Sequence, residues 1–199
     1  MALAIIPDMK LSPTAKKPWH DQVHPSATPA QKHWLHRPGA LTAGLRRLGQ
    51  VRLDVVREYA CRLDAQEAAL IERPRGTLAW IREVSMSIDG VRCVIARSFT
   101  PLAASHSVWQ GIRRLRSRPL ADMLYNDAQI QRSAFLSCRL NRAVPFFRTI
   151  ERALDGTGEP VPQARQLLAR CSVFWRHGQP LLVAECFMPA FWTPGSTLV

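Results

Sequence analysis

Three charged side chains stand where a folded chain of this pattern calls for apolar ones. Glu185 lies in PLLVAECFMPAFW, with Leu181, Val183 and Phe187 on its own alternating face and Leu182, Ala184, Cys186 and Met188 on the other. A carboxylate so placed is buried, and a buried carboxylate must be paired, protonated or accepting a hydrogen bond from a ligand. An ion pair with Arg170 is the purely structural possibility. Arg82 and Arg97 lie in WIREVSMSIDGVRCVIARSFTP, two alternating apolar runs that meet at Asp89-Gly90, the strongest short-range signal for a β-hairpin. A two-residue loop there pairs Ile88 with Val91, Met86 with Cys93, Val84 with Ile95 and Arg82 with Arg97. Two arginines directly opposite, with Cβ atoms roughly 5 Å apart, repel by about 3 kcal/mol at an effective dielectric near 20.

An anion between them would relieve that repulsion. Arginine suits the task, because its planar fork grips a carboxylate with two parallel hydrogen bonds and keeps its charge when partly desolvated. Alternatively each guanidinium turns outward or pairs with a carboxylate such as Glu83 or Glu185, and the hairpin alone leaves both readings open. Two arginines and one glutamate together fit a small molecule with carboxylates and a hydroxyl.

The elements that must position these residues follow from periodicity. Ala40 to Leu48 reads as a helix closed by Gly49, and VRLDVVREYACRL after it as a strand. Asp64-Ala-Gln-Glu67 is a capping-box-like start for a short helix ending near Arg73-Pro74. Beyond the hairpin, Ser105 caps a helix through SVWQGIRRLRS, and Pro119 opens another turn or two in PLADMLY. Ala128 to Leu140 fits helix or strand, Ala143 to Leu154 a helix, and DGTGEPVP a surface loop. RQLLARCSVFWR and PLLVAECFMP form a second hairpin around His177-Gly178-Gln179, its register open. About six strands joined by hairpins or short helices predict an α+β fold: an antiparallel sheet with helices packed on one side.

The 199 residues, 47% hydrophobic and 21% charged, suffice for one buried core. The net charge of +12 admits nucleic acid, an anionic surface or an acidic metabolite as partner. All four lysines fall at or before Lys32, among Pro7, Pro13, Pro18, Pro25 and Pro29, so residues 1–32 read as a disordered, dispensable tail and 33–199 as a single folded domain. His20, His24, His33 and His36 are proline-interrupted with no carboxylate or thiol cluster, so no metal site is expected. The cluster Arg113, Arg114, Arg116 and Arg118 lacks interleaved aromatics and reads as a solvated helix face, not a nucleic-acid surface. Five dispersed cysteines without a CxxC pair suit a reducing cytoplasm, and neither a secretion signal nor a membrane span is legible. Dinucleotide, P-loop, zinc-protease and serine-hydrolase signatures are absent.

From Trp34 to Trp192 the segments RPGALTAGLRRLGQVRLDVVREYA, WIREVSMSIDG, ARSFTPL, RPLADMLY, IQRSAF and GQPLLVAECFMPAFW occur in the order of the chorismate pyruvate-lyase family, which the chain resembles. The resemblance implies six antiparallel strands with helices and a buried ligand cavity, making Ala128 to Leu140 a strand. It further implies a lyase that converts chorismate to 4-hydroxybenzoate and pyruvate, the first committed step of ubiquinone biosynthesis, without metal or organic cofactor. Matched by position, Arg82 holds the ring carboxylate, Glu185 accepts from the ring hydroxyl, and Leu120 lines the pocket. Leu41 stands where the family often has methionine in Ser-Met-Thr, here Ala40-Leu41-Thr42, whose backbone meets the carboxylate. Charge logic gives Arg97 the enolpyruvyl carboxylate. A monomer is the expected state. The alternative reading is a non-catalytic effector-binding domain of similar fold, as in some transcription regulators.

Overall fold

The computed structural model describes residues 4–6, 18–163 and 166–193. In chain order its elements are β1 (Ala4–Ile6), α1 (Pro29–His36), α2 (Leu41–Leu45), β2 (Val51–Arg62), α3 (Ala65–Leu70), β3 (Leu78–Ile88), β4 (Val91–Pro101) and α4 (Leu102–Ser105). There follow a 3-10 turn at Gln110–Arg114, α5 (Ala121–Leu124), β5 (Gln131–Ser133), β6 (Leu136–Arg139), α6 (Phe147–Leu154), β7 (Leu168–Arg176), β8 (Gln179–Phe187) and a 3-10 turn at Pro189–Trp192.

One sheet runs in the order β1-β5-β7-β8-β4-β3-β2, with β6 also beside β7. Every pairing is antiparallel except β1 with β5. Among the described residues the sheet thus has eight strands, not six. The strand expected over Ala128 to Leu140 is divided at Ala134-Phe135. Three residues there oppose two on β7 between the Arg132–Phe174 and Leu136–Cys171 pairs, a bulge that separates β5 from β6. The other addition is β1, a parallel edge strand inside the expected tail.

Both hairpin turns have positive φ at both central residues, 48° and 83° at Asp89-Gly90 and 48° and 69° at His177-Gly178. This is the backbone a two-residue loop needs to match strand twist. The second hairpin therefore closes on Arg176 paired with Gln179.

Helices cover both faces of the sheet rather than one. On one face α3 and α6 pack over Ile81, Ile95, Phe99, Leu182 and Ala184. On the other, α1 and α2 bring Trp34, Leu35, Leu41 and Leu45 against Val84, Met86 and Phe187, while Trp109, Ile112, Leu115 and Leu124 close on Phe174 and Leu181. The long helix expected from a Ser105 cap does not form: Ser105 instead ends α4, its hydroxyl donating to the Leu102 carbonyl at 2.7 Å, and only the 3-10 turn at Gln110–Arg114 falls within the expected span before Arg116 (φ 49°) turns its carbonyl to Arg82. None of the described helices is long and apolar enough to cross a membrane.

The boundary expected after residue 32 falls inside α1. Thr28 caps this helix in a capping box with Gln31, and Pro29 sits where a missing N–H does no harm. Upstream, Trp19 is 3% exposed in the core and His20 forms a two-way backbone bridge to Ser137, so residues 18–32 are structured. The remainder of the expected tail, residues 1–3 and 7–17, lies outside the described residues.

Candidate active site

The β3–β4 hairpin begins in the expected register and then changes it. Ile88 pairs with Val91 and Ser87 with Arg92, but Met86 pairs with Val94, leaving Cys93 as an extra residue on β4. The Cys93 carbonyl is taken by the Met188 N–H at 2.9 Å, so the chain end beyond β8 pins the bulge. From there every partner shifts by one. Arg97 faces Glu83 and Arg82 faces Ser98, so the expected Arg82–Arg97 juxtaposition does not occur and the two side chains point to opposite faces.

On the α3–α6 face, Arg97 donates from Nε to Glu67 at 2.8 Å, and from Nη1 to the Tyr59 hydroxyl at 2.8 Å and to Glu83 at 2.5 Å. Glu83, fully buried, also accepts from Thr149 at 2.7 Å, Tyr59 at 3.0 Å and Arg152 Nε at 3.1 Å. Burial pushes Glu67 above the ordinary carboxylate range despite the opposing charge of Arg97. Burial pushes Glu83 the same way, but hydrogen bonds from Arg152 and Thr149 and the nearby guanidinium charges outweigh it and hold Glu83 low. The structure therefore places Arg97 in a closed charge network, apart from the other candidate residues.

Those others converge on the opposite face. Arg82, Glu185, Leu120 and Leu41 line one pocket, together with Gly39, Ala40, Thr42, Val84, Met86, Ser98, Tyr125, Phe135, Arg170, Ser172, Phe174 and Val183. The sheet forms its floor. Its walls are the loop entering α2 and the segment Pro119–Tyr125. Arg82, 2% exposed, is paired with Glu58 on β2 and donates to the carbonyls of Arg116 and Arg118, the latter at 3.4 Å. It thereby ties the loop before α5 to the pocket.

Glu185 combines both readings open in the sequence. One oxygen accepts from Arg170 Nε at 2.7 Å, and the residue also faces the pocket. Arg170, 1% exposed, donates in addition to the carbonyls of Trp34 at 2.9 Å and Arg37 at 3.0 Å, fastening the end of α1 to the sheet. Arg82 and Glu185 lie on β3 and β8 with β4 between, their rows offset by two residues. Strand spacing and rise put their Cα atoms about 12 Å apart, enough for a six-membered ring between the side chains.

The sequence reading missed Tyr125, Phe135 and Arg170 as pocket residues. Alternation on β7 puts Arg170, Ser172 and Phe174 on one face, but only strand pairing reveals that this is the pocket face. Burial pushes the Tyr125 phenol up, with Arg132 drawing it back.

Residues 16–196 match the family model described as chorismate lyase. A Bordetella pertussis protein named probable chorismate pyruvate-lyase is 56% identical over 176 residues, covering 88% of this chain and 90% of that one. Probable chorismate pyruvate-lyase 1 of Pseudomonas fluorescens is 38% identical over 174 residues, covering 87% and 90%. Among solved structures, the effector domain of PhnF from Mycobacterium smegmatis matches with a TM-score of 0.51 at 14% identity, over 76% of this chain and 90% of that one, a likeness of fold alone. With the family model spanning nearly the whole chain and relatives this similar, the chain belongs to the chorismate lyase family of enzymes.

Proposed function

We propose that this chain converts chorismate to 4-hydroxybenzoate and pyruvate, in the cytoplasm, as the first committed step toward ubiquinone. One observation carries the reading: Arg82 and Glu185, buried or nearly so, face a single apolar-walled pocket at a separation that suits a ring with para-disposed carboxylate and hydroxyl. Arg82 takes the ring carboxylate, assisted by backbone N–H groups at Leu41 and Thr42, which open α2 with no intrahelical partner. Glu185 accepts from the ring hydroxyl with the oxygen that Arg170 leaves unengaged. Leu120 and Val84 pack on the ring.

The reaction breaks the ether bond at one ring carbon and removes hydrogen from the adjacent hydroxyl-bearing carbon, and that hydrogen completes the methyl group of pyruvate. Aromatisation drives it. The protein's task is to select the conformer and stabilise the charge that shifts toward the departing enolpyruvyl group. Glu185, with one oxygen committed to Arg170, suits positioning better than proton abstraction.

The test is incubation of metal-stripped protein with chorismate, following 4-hydroxybenzoate and pyruvate together. Equal yields are expected without additives. Binding of the aromatic acid with no pyruvate release would favour the alternative, a non-catalytic effector-binding domain, which the fold likeness to the PhnF effector domain keeps in view.

A further inference from the structure

Chorismate carries two carboxylates, and with Arg97 on the far face the second needs a cation of its own. Arg132 on β5 pairs in register with Phe174, a pocket residue, so its side chain leaves the sheet on the pocket face. It is 4% exposed, and its Nη1 has no hydrogen-bond partner among the described residues. Its guanidinium lies 4.0 Å from the centroid of Phe135, and that ring forms part of the pocket wall and also contacts Arg170 at 4.3 Å. Among the described residues the carboxylate acting on it is Glu185, one oxygen of which is already engaged by Arg170 at 2.7 Å. A buried guanidinium with a donor unanswered is costly to keep and is what an incoming anion satisfies.

Substrate chemistry fixes which anion. The enolpyruvyl ether stands on the ring carbon next to the hydroxyl-bearing carbon, so its carboxylate must lie at the Glu185 end of the pocket, away from Arg82. We propose that Arg132 binds the enolpyruvyl carboxylate of chorismate and thereby distinguishes substrate from product, which lacks that group. This rests on the chorismate lyase reading. Pyruvate release removes the ligand's carboxylate at that end, so Arg132 contributes to holding substrate and not to holding 4-hydroxybenzoate.

The experiment compares wild type, Arg132→Met and Arg132→Lys in chorismate turnover and in the Kd for 4-hydroxybenzoate, with thermal midpoints as the folding check. Loss of one charged hydrogen-bonding partner predicts a fall in kcat/KM of about tenfold to a hundredfold for Arg132→Met, mainly in KM, with the product Kd changed less than about threefold. Arg132→Lys keeps the charge and should recover part of the loss, and it serves as the test variant if Arg132→Met does not fold. Equal loss of product affinity and turnover, or unchanged kcat/KM, would overturn the proposal. Wild type that binds chorismate but releases no pyruvate would instead overturn the lyase reading. In that event chorismate Kd still tests Arg132: weaker binding in Arg132→Met with product Kd unchanged supports it, and equal binding overturns it.

Discussion

Replacing Arg97 by methionine removes a buried cation while keeping most of its volume. Arg97 answers two carboxylates, Glu67 at 2.8 Å and Glu83 at 2.5 Å. Glu83 retains Arg152 and Thr149, so its charge stays compensated. Glu67, with 10% side-chain exposure, has no other cation bonded to it among the described residues. Breaking a buried pair from one side costs about 3–5 kcal/mol, and because Glu67 can respond by taking up a proton we expect about 3 kcal/mol at pH 7. The sign of the pH dependence follows. Without Arg97 the folded-state pKa of Glu67 moves further above its unfolded value of about 4.3, so between those two values the native state holds the extra proton, and stability falls as pH rises, by about 1.4 kcal/mol per unit. The deficit relative to wild type should therefore be smaller near pH 5 than near pH 8. Urea unfolding at both pH values measures it, and Arg97→Met with Glu67→Gln should regain most of the loss. Activity per folded molecule should change less than about tenfold, since the guanidinium is on the face away from the pocket. A midpoint unchanged at pH 7, or no recovery in the double variant, would refute the reasoning.

Arg82→Ala should weaken 4-hydroxybenzoate binding and chorismate kcat/KM together, each by about tenfold to a hundredfold, because the ring carboxylate is common to both, as titration and steady-state kinetics would show. Glu185→Gln preserves an acceptor for the ring hydroxyl but removes the charge held by Arg170, so turnover should persist at a reduced level. Abolished turnover with intact product binding would make Glu185 a base. A chain beginning at Lys32 loses buried Trp19 and the Thr28 cap, and its urea midpoint should drop by an amount equivalent to about 3–5 kcal/mol. An unchanged midpoint would restore the reading of that segment as a dispensable tail.

What the sequence by itself determined is what depends on a few neighbouring residues. Asp89-Gly90 fixes one tight turn through positive φ, Asp64 caps α3 by accepting from the Glu67 N–H at 2.8 Å, and alternation marks the long strands, whereas the second hairpin was legible but its two-residue turn at His177-Gly178 was settled only by the pairing of Arg176 with Gln179. The resemblance across separated segments led to the residues that meet in the pocket: Arg82, Glu185, Leu120 and Leu41. Local rules failed where a distant group decides. The extra residue at Cys93 is held by Met188, far along the chain, and one residue of slip exchanges the faces of a strand, so Arg97 meets Glu83 rather than Arg82. The prolines that suggested disorder before residue 33 include Pro29 at the first turn of α1, where proline is tolerated, and Trp19 is ordered by burial against strands the local sequence does not reveal. Arg132 and Arg170 become pocket-side cations only once β5 and β7 are paired. Register and burial are properties of the assembled sheet, because each is set by hydrogen bonds and contacts between segments that the linear pattern does not connect.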